Sequence, residues 1–209
     1  MFYPNLFFDL SSYEHPLLFS SGADVWEALK ALESYLNEAC LGVILGKVSK
    51  EAILKHEHRI SIGKGSLVEA GAVIEGPCLI GEDVMIRPGA YIRPNTVIGN
   101  QCVVGHGTEV KHSIFLDRAK AAHFNYVGNS ILGHDVNLGA GAICANYRLD
   151  HQEVRGFALD KRFNTGMRKF GAILGDGTQV GCNSVLNPGI LIKRGTQIRP
   201  CTSVENSNL

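Results

Sequence analysis

The stretch Ile62–Gly99, IGKGSLVEAGAVIEGPCLIGEDVMIRPGAYIRPNTVIG, puts an aliphatic residue at every sixth position: Ile62, Val68, Ile74, Ile80, Ile86, Ile92 and Ile98. A period of six is neither the 3.6 of a helix nor the 2 of a single strand. It describes short strands joined by turns at fixed spacing, each strand burying one side chain, which is the mark of a solenoid. Two positions before the aliphatic, the residue is mostly small (Ser66, Ala72, Cys78, Ala90, Thr96). The position after it is often glycine, as at Gly63, Gly81 and Gly99. Both features suit tight corners that leave no room for a large side chain.

The period continues outward through Val104, Val110, Leu116 and Ala122. It returns at Leu132, Leu138 and Cys144, and again from Leu174 through Val180, Leu186, Ile192 and Ile198 to Val204. Three hexads per coil predict an all-β solenoid of about seven coils, on the order of 30 Å tall. Cys78, Cys102 and Cys144 fall at small or inward positions and read as packing residues. The phase is lost at AHFNYVG (122–128), where the next inward aliphatic after Ala122 is Leu132. Such a slip predicts a cleft or bulge beside His123, with His123 stacked on the column of Arg87 and Gly105.

The 20 basic residues balance the 20 acidic ones, so nothing in the charge points to nucleic acid or a membrane surface as partner. No apolar run is long enough to span a bilayer, and the N-terminus lacks the basic start of a signal peptide. Scattered cysteines without a CxxC pair indicate neither zinc nor a disulfide framework. A reduced, cytoplasmic protein is expected. Residues 1–58 are expected to form a helical appendage capping the first coil, since an open solenoid end exposes strand edges. Its main helix has Val25, Leu29, Leu32, Leu36 and Ala39 on one face and Asp24 as N-cap with Glu27 as its partner. VSKEAILKH (48–56) reads as a second short helix. Residues 59–209 form the solenoid domain, interrupted by a polar loop at about 148–170.

Chemistry is expected at two places. Arg93 and Lys111 are 18 residues apart, so a three-hexad coil stacks them one layer apart. Two such cations repel unless an anion lies between them, and a phosphate is the simplest candidate. The alternative is that both side chains splay into solvent. His123 lies beside the phase break, and the loop adds Lys161, Arg162, Arg168 and Lys169.

The stretch AHFNYVGNSILGHDVNLGAGAICANY (122–147), with NTGMRKFGAILGDG (164–177) and SVLNPG (184–189), resembles a known family. It is similar to the acetyltransferase domain of the bifunctional UDP-N-acetylglucosamine pyrophosphorylase/glucosamine-1-phosphate N-acetyltransferases and of the archaeal sugar-1-phosphate nucleotidylyltransferase/N-acetyltransferases. The resemblance covers roughly residues 60–205. It implies a left-handed parallel β-helix of hexapeptide repeats that works as a homotrimer, with active sites between subunits. It implies transfer of an acetyl group from acetyl-CoA to glucosamine-1-phosphate or galactosamine-1-phosphate in nucleotide-sugar and cell-envelope precursor synthesis, with no metal required. By match to the family, Arg93 and Lys111 hold the sugar phosphate and His123 is the general base. Tyr126, Asn137 and Lys169 contact the sugar, while Ala140, Asn146, Tyr147 and Cys182 contact acetyl-CoA. No Gly-rich nucleotidylyltransferase loop occurs, so only acetyl transfer is expected. Cys182 replaces a serine, and the sequence stops at Leu209, before the family's basic tail. A non-catalytic trimeric scaffold or regulatory protein is the competing expectation.

Overall fold

Each hexad becomes a strand of two to four residues, and every third strand stacks in parallel on its predecessor. The computed structural model, which describes residues 1–158 and 161–205, is a left-handed parallel β-helix with three faces. The first face holds eight strands, from Lys47–Val48 to Gln197–Ile198. The second also holds eight, from Ile53–Lys55 to Ser203–Val204. The third holds seven, from Ile60–Ile62 to Ile190–Ile192. Inward aliphatics such as Ile62, Ile80, Ile98, Val104 and Leu132 fill the interior as one cluster.

The prism therefore starts before residue 59 and has eight layers on two faces. Lys47 already pairs with Leu67 and Ile53 with Val73. The segment expected as a second helix is strand and turn, followed by a single 3-10 turn at Glu57–Arg59.

The phase break is also real but lies elsewhere. Ile98 pairs with Phe115 and Val104 with Ala121, so Phe115 and Ala121, not Leu116 and Ala122, point inward. The intervals Val110 to Phe115 and Val127 to Leu132 are five residues each, and the intervals between them keep to six. Two corners have each lost a residue, at Lys111–Ser113 and Gly128–Ser130. Their αL residues are His112 (φ 46°) and Asn129 (φ 47°). The buried hydroxyl of Ser113 lies 2.8 Å from Lys111 O and accepts the Ser130 N–H at 3.1 Å. That of Ser130 lies 2.8 Å from Gly128 O. These hydroxyls satisfy backbone groups that a tightened corner would otherwise strand.

The N-terminal segment does not cap the first coil. It lies along the third face. There the outward residues are apolar as well, and Val97, Ile114, Ile131, Ile173 and Leu191 share one buried cluster with Phe7, Phe8, Leu29, Leu32 and Leu36. The helix α1 (Glu27–Glu38) turns Ala28, Leu29, Leu32 and Leu36 into it, as the spacing indicates. Asp24 does not cap α1; its carboxylate accepts the Phe2 N–H at 2.6 Å, and Trp26 stands at the cap. The polar loop contains a hairpin, Arg155–Ala158 with Lys161–Asn164, whose Phe163 stacks on Trp26 at 5.2 Å. Residues 159–160 of that loop and 206–209, including Leu209, lie outside the described residues.

The cysteines give a direct test. Burial pushes the thiols of Cys78 and Cys144 up to about 12 and raises that of Cys102, while Cys40, Cys182 and Cys201 are exposed. The thiolate is the reactive form. Iodoacetamide on the native protein should leave Cys78, Cys102 and Cys144 unmodified by mass spectrometry and should reach all six only after denaturation. Native labelling of any of these three would contradict the layer assignment.

Candidate functional site

The register places Ile92 against Val110, so Arg93 and Lys111, each the next residue, sit in adjacent layers at one edge of the second face. Arg93 is not unpaired: its guanidinium donates to Glu109 at 2.9 Å. Lys111 has a different neighbour. The inserted loop returns beside it, with Lys169 bridged to Tyr147 and the Phe170 N–H donating to Asn146 O at 3.0 Å. Burial, then the charges of Lys169 and Arg93, hold the Lys111 ammonium below its ordinary value. Glu109 opposes this more weakly. Three cations thus crowd one patch.

Above them lies a polar network. The Tyr126 hydroxyl is 3.4 Å from Asn146 Oδ1, and Asn146 Nδ2 donates to Asn129 Oδ1 at 2.7 Å. Burial raises the Tyr126 phenol, with Glu109 adding to it. Gly128, in register with Lys111, leaves the space this network occupies. A Cβ there would come within 2.7 Å of both Asn146 Nδ2 and the Tyr126 hydroxyl.

His123 stands at the corner between the first and second faces, at the other end of the Tyr126–Gly128 strand. It pairs with His106, so the column beneath it is His106 and not Arg87 and Gly105. The chain turns there through Phe124, held in the left-handed region (φ 52°). Asn125 then points inward, its amide donating to Gly139 O (2.8 Å) and Ala142 O (3.1 Å) while its Oδ1 accepts the His123 N–H at 3.2 Å. The backbone of the corner is fixed, and among the described residues the exposed imidazole of His123 makes no hydrogen bond to protein. Ala140 and Cys182 stack above it, the Gly141 N–H meeting His123 O and the Asn183 N–H meeting Ala140 O.

The sequence-derived residues therefore fall into groups. Arg93, Lys111, Tyr126, Asn146, Tyr147 and Lys169 meet on the second face, where Tyr147 is also bonded to His151 Nδ1 at 3.0 Å. His123, Ala140 and Cys182 share the corner column. Asn137 is apart from Tyr126, on the first face between Lys120 and Gln179. Sequence reasoning missed Glu109, Asn125, Gly128 and Asn129. Once coils of 17 residues are allowed, Gly128 falls directly over Lys111. Among the described residues, no group of three His, Cys, Asp or Glu side chains is placed to hold a metal, and no helix is long and apolar enough to cross a membrane.

A family profile described as the GMPPB C-terminal domain matches residues 74–155. The bifunctional protein GlmU of Methanococcus maripaludis is 44% identical over 187 residues, 87% of this chain and 43% of its own length. A bifunctional sugar-1-phosphate nucleotidylyltransferase/acetyltransferase of Sulfurisphaera tokodaii is 40% identical over 92 residues, 44% of this chain and 23% of its own length. Among solved structures, the UDP-N-acetylglucosamine acyltransferase of Francisella novicida aligns over 74% of this chain and 59% of its own, at 13% identity and a TM-score of 0.37. The chain spans less than half the length of the curated relatives it matches. Over that part of their length it is similar in sequence to bifunctional sugar-1-phosphate nucleotidylyltransferase/acetyltransferases.

Proposed function

We propose that this protein is an acyltransferase that moves the acetyl group of acetyl-CoA to the amine of an amino-sugar 1-phosphate, glucosamine-1-phosphate or galactosamine-1-phosphate. The observation that carries this reading is the Lys111–Lys169 pair beside Arg93. Like charges held together in a partly buried patch cost the empty protein stability, and a bound phosphate removes that cost. The named activities of the relatives, which include acetyl transfer, support it.

In this reading the phosphate lies on Lys111, Lys169 and Arg93, with Glu109 holding the Arg93 fork in place. Tyr126 and Asn146 bind sugar hydroxyls. The amine, as a free base, attacks the thioester carbonyl of acetyl-CoA. His123 takes the proton that the nitrogen sheds and passes it to the departing sulfur. Among the described residues His123 has no hydrogen-bond partner, which leaves both ring nitrogens available for that exchange. Acetyl-CoA runs past Ala140 and Cys182 in the column above the base, and Asn137 lines the first-face side.

His123 and the cations stand at opposite edges of one face, whereas the amine and phosphate of the substrate are on neighbouring ring carbons. We take the working assembly to be a homotrimer whose grooves bring the two groups to one substrate. The third face, covered by the chain's own N-terminal segment, leaves the other two for such contacts.

Two measurements test this. The first is thermal stability. The lowered Lys111 value means its charged form is disfavoured in the folded state. That penalty is full below the folded value and fades as pH rises from there to the ordinary lysine value. Lys111→Met should therefore melt above wild type at pH 7, with the gap closing at alkaline pH. Inorganic phosphate should raise the wild-type Tm more than that of the variant. Equal phosphate shifts would remove Lys111 from the site. The second is turnover, read by thiol release with glucosamine-1-phosphate and galactosamine-1-phosphate. His123→Ala should lower kcat by about 10²–10⁴-fold with the fold intact. Near wild-type turnover in that variant would overturn the assignment of the base.

A further inference from the structure

We propose that α1 is a working part of the anion site, and that His112 and Trp26 are positioning residues that set the spacing of Lys111 and Lys169. The proposal rests on reading that pair as a phosphate site.

The two lysines come from separate parts of the chain, one from the solenoid and one from the inserted loop. Each is followed directly by a residue held on the same helix. Lys111 precedes His112, at a corner one residue short, and His112 Nε2 lies 2.8 Å from the carbonyl of Leu29 in α1. A carbonyl only accepts, so Nε2 carries the hydrogen. Burial pushes the His112 imidazole below its ordinary value, so it adds no further cation beside Lys111.

Lys169 precedes Phe170, which is fully buried with its ring edge-on to Trp26 at 6.3 Å. Trp26 also stacks on Phe163 of the hairpin, so the loop is held to the helix at two aromatic contacts. Trp26 is the cap of α1, and Leu29 is three residues further on, about 4.5 Å of helix rise. One turn of helix therefore holds both lysine-bearing segments. The charged groups facing Lys111 are Lys169, Arg93 and Glu109. His112 faces Lys111 as well, and Glu33 of α1 faces His112, but burial keeps the imidazole neutral, so its hold on Lys111 is positional.

Calorimetry with inorganic phosphate on the full chain tests this, together with NMR titration of the Lys111 ammonium on ¹³C-methylated lysines. His112→Ala should weaken phosphate binding about 3- to 10-fold, the effect of losing one hydrogen bond. It should also move the Lys111 titration up toward the ordinary lysine value. His112→Gln, which keeps an N–H at a similar reach, should restore both. A merely structural role would lower Tm without moving the titration. The proposal is overturned if His112→Ala binds phosphate as wild type does and the Lys111 titration stays where it was. Should His112→Ala fail to fold, Trp26→Leu against Trp26→Phe makes the same comparison from the Lys169 side. If wild type takes up no phosphate, the phosphate reading of the pair fails. The Lys111 titration in His112→Ala then still decides whether α1 sets the spacing.

Discussion

The hydrogen-bond ladder between layers governs everything else in this molecule. Each strand has only two to four residues, so no strand is stable alone, and each gains its place by pairing above and below. The ladder makes a side chain's environment a matter of its position modulo one coil. Arg93 lies under Lys111, Lys111 under Gly128, and His106 under His123, because the backbone bonds allow no other register. A coil one residue short moves its neighbours in the sequence to new columns. The chain uses this twice, at the corners that follow Lys111 and Gly128.

The interior is a simple aliphatic column, and the third face adds a second apolar layer outside it. Elsewhere the outward residues are mixed: Leu67, Met85 and Val103 continue into Lys120, Asn137 and Gln179, and Val73 and Ile143 flank Tyr91, Glu109 and Tyr126. On the third face they are Val97, Ile114, Ile131 and Ile173. An apolar strip of that length in water calls for a cover, and the aromatic-rich N-terminal segment supplies it. The cover reaches beyond the strip to His112 and Phe170, which places a packing element next to a charged patch.

Most of the fold can be read in the hexads, because burial of one side chain per strand leaves a period that survives in the sequence. The placement of the appendage could be read too, from the apolar residue directly before every inward one on the third face except Ile62, such as Val97 before Ile98. The inward period masks that signal when it is followed alone. The short corners were harder. Leu116 is as good an inward candidate by type as Phe115, and only pairing with Ile98 decides between them. For the site, the stacking of Arg93 on Lys111 follows from spacing, whereas the approach of Lys169 depends on how a loop folds back. Asn125 shows the limit most clearly. Its amide fills a slot taken elsewhere by Ala72, Ala90 or Thr108, and nothing in its residue type announces that it anchors the His123 corner.

The inserted segment leaves and re-enters the prism at nearly one point. The Phe170 N–H bonds Asn146 O and the Gly171 N–H bonds Asn129 O, while Leu138 on one side and Val180 on the other pair as if nothing intervened. The segment's Val154, Ala158, Phe163 and Phe170 are fixed by the buried cluster they join, and its exposed positions are free to vary. Its length enters the free energy only logarithmically, about 0.6 kcal/mol per doubling, since its ends are already joined. Recombination or drift within it can therefore redraw what surrounds Lys111 while the corner that carries His123 stays untouched. In this architecture the surroundings of Lys111 and the corner that carries His123 are heritable as separate parts.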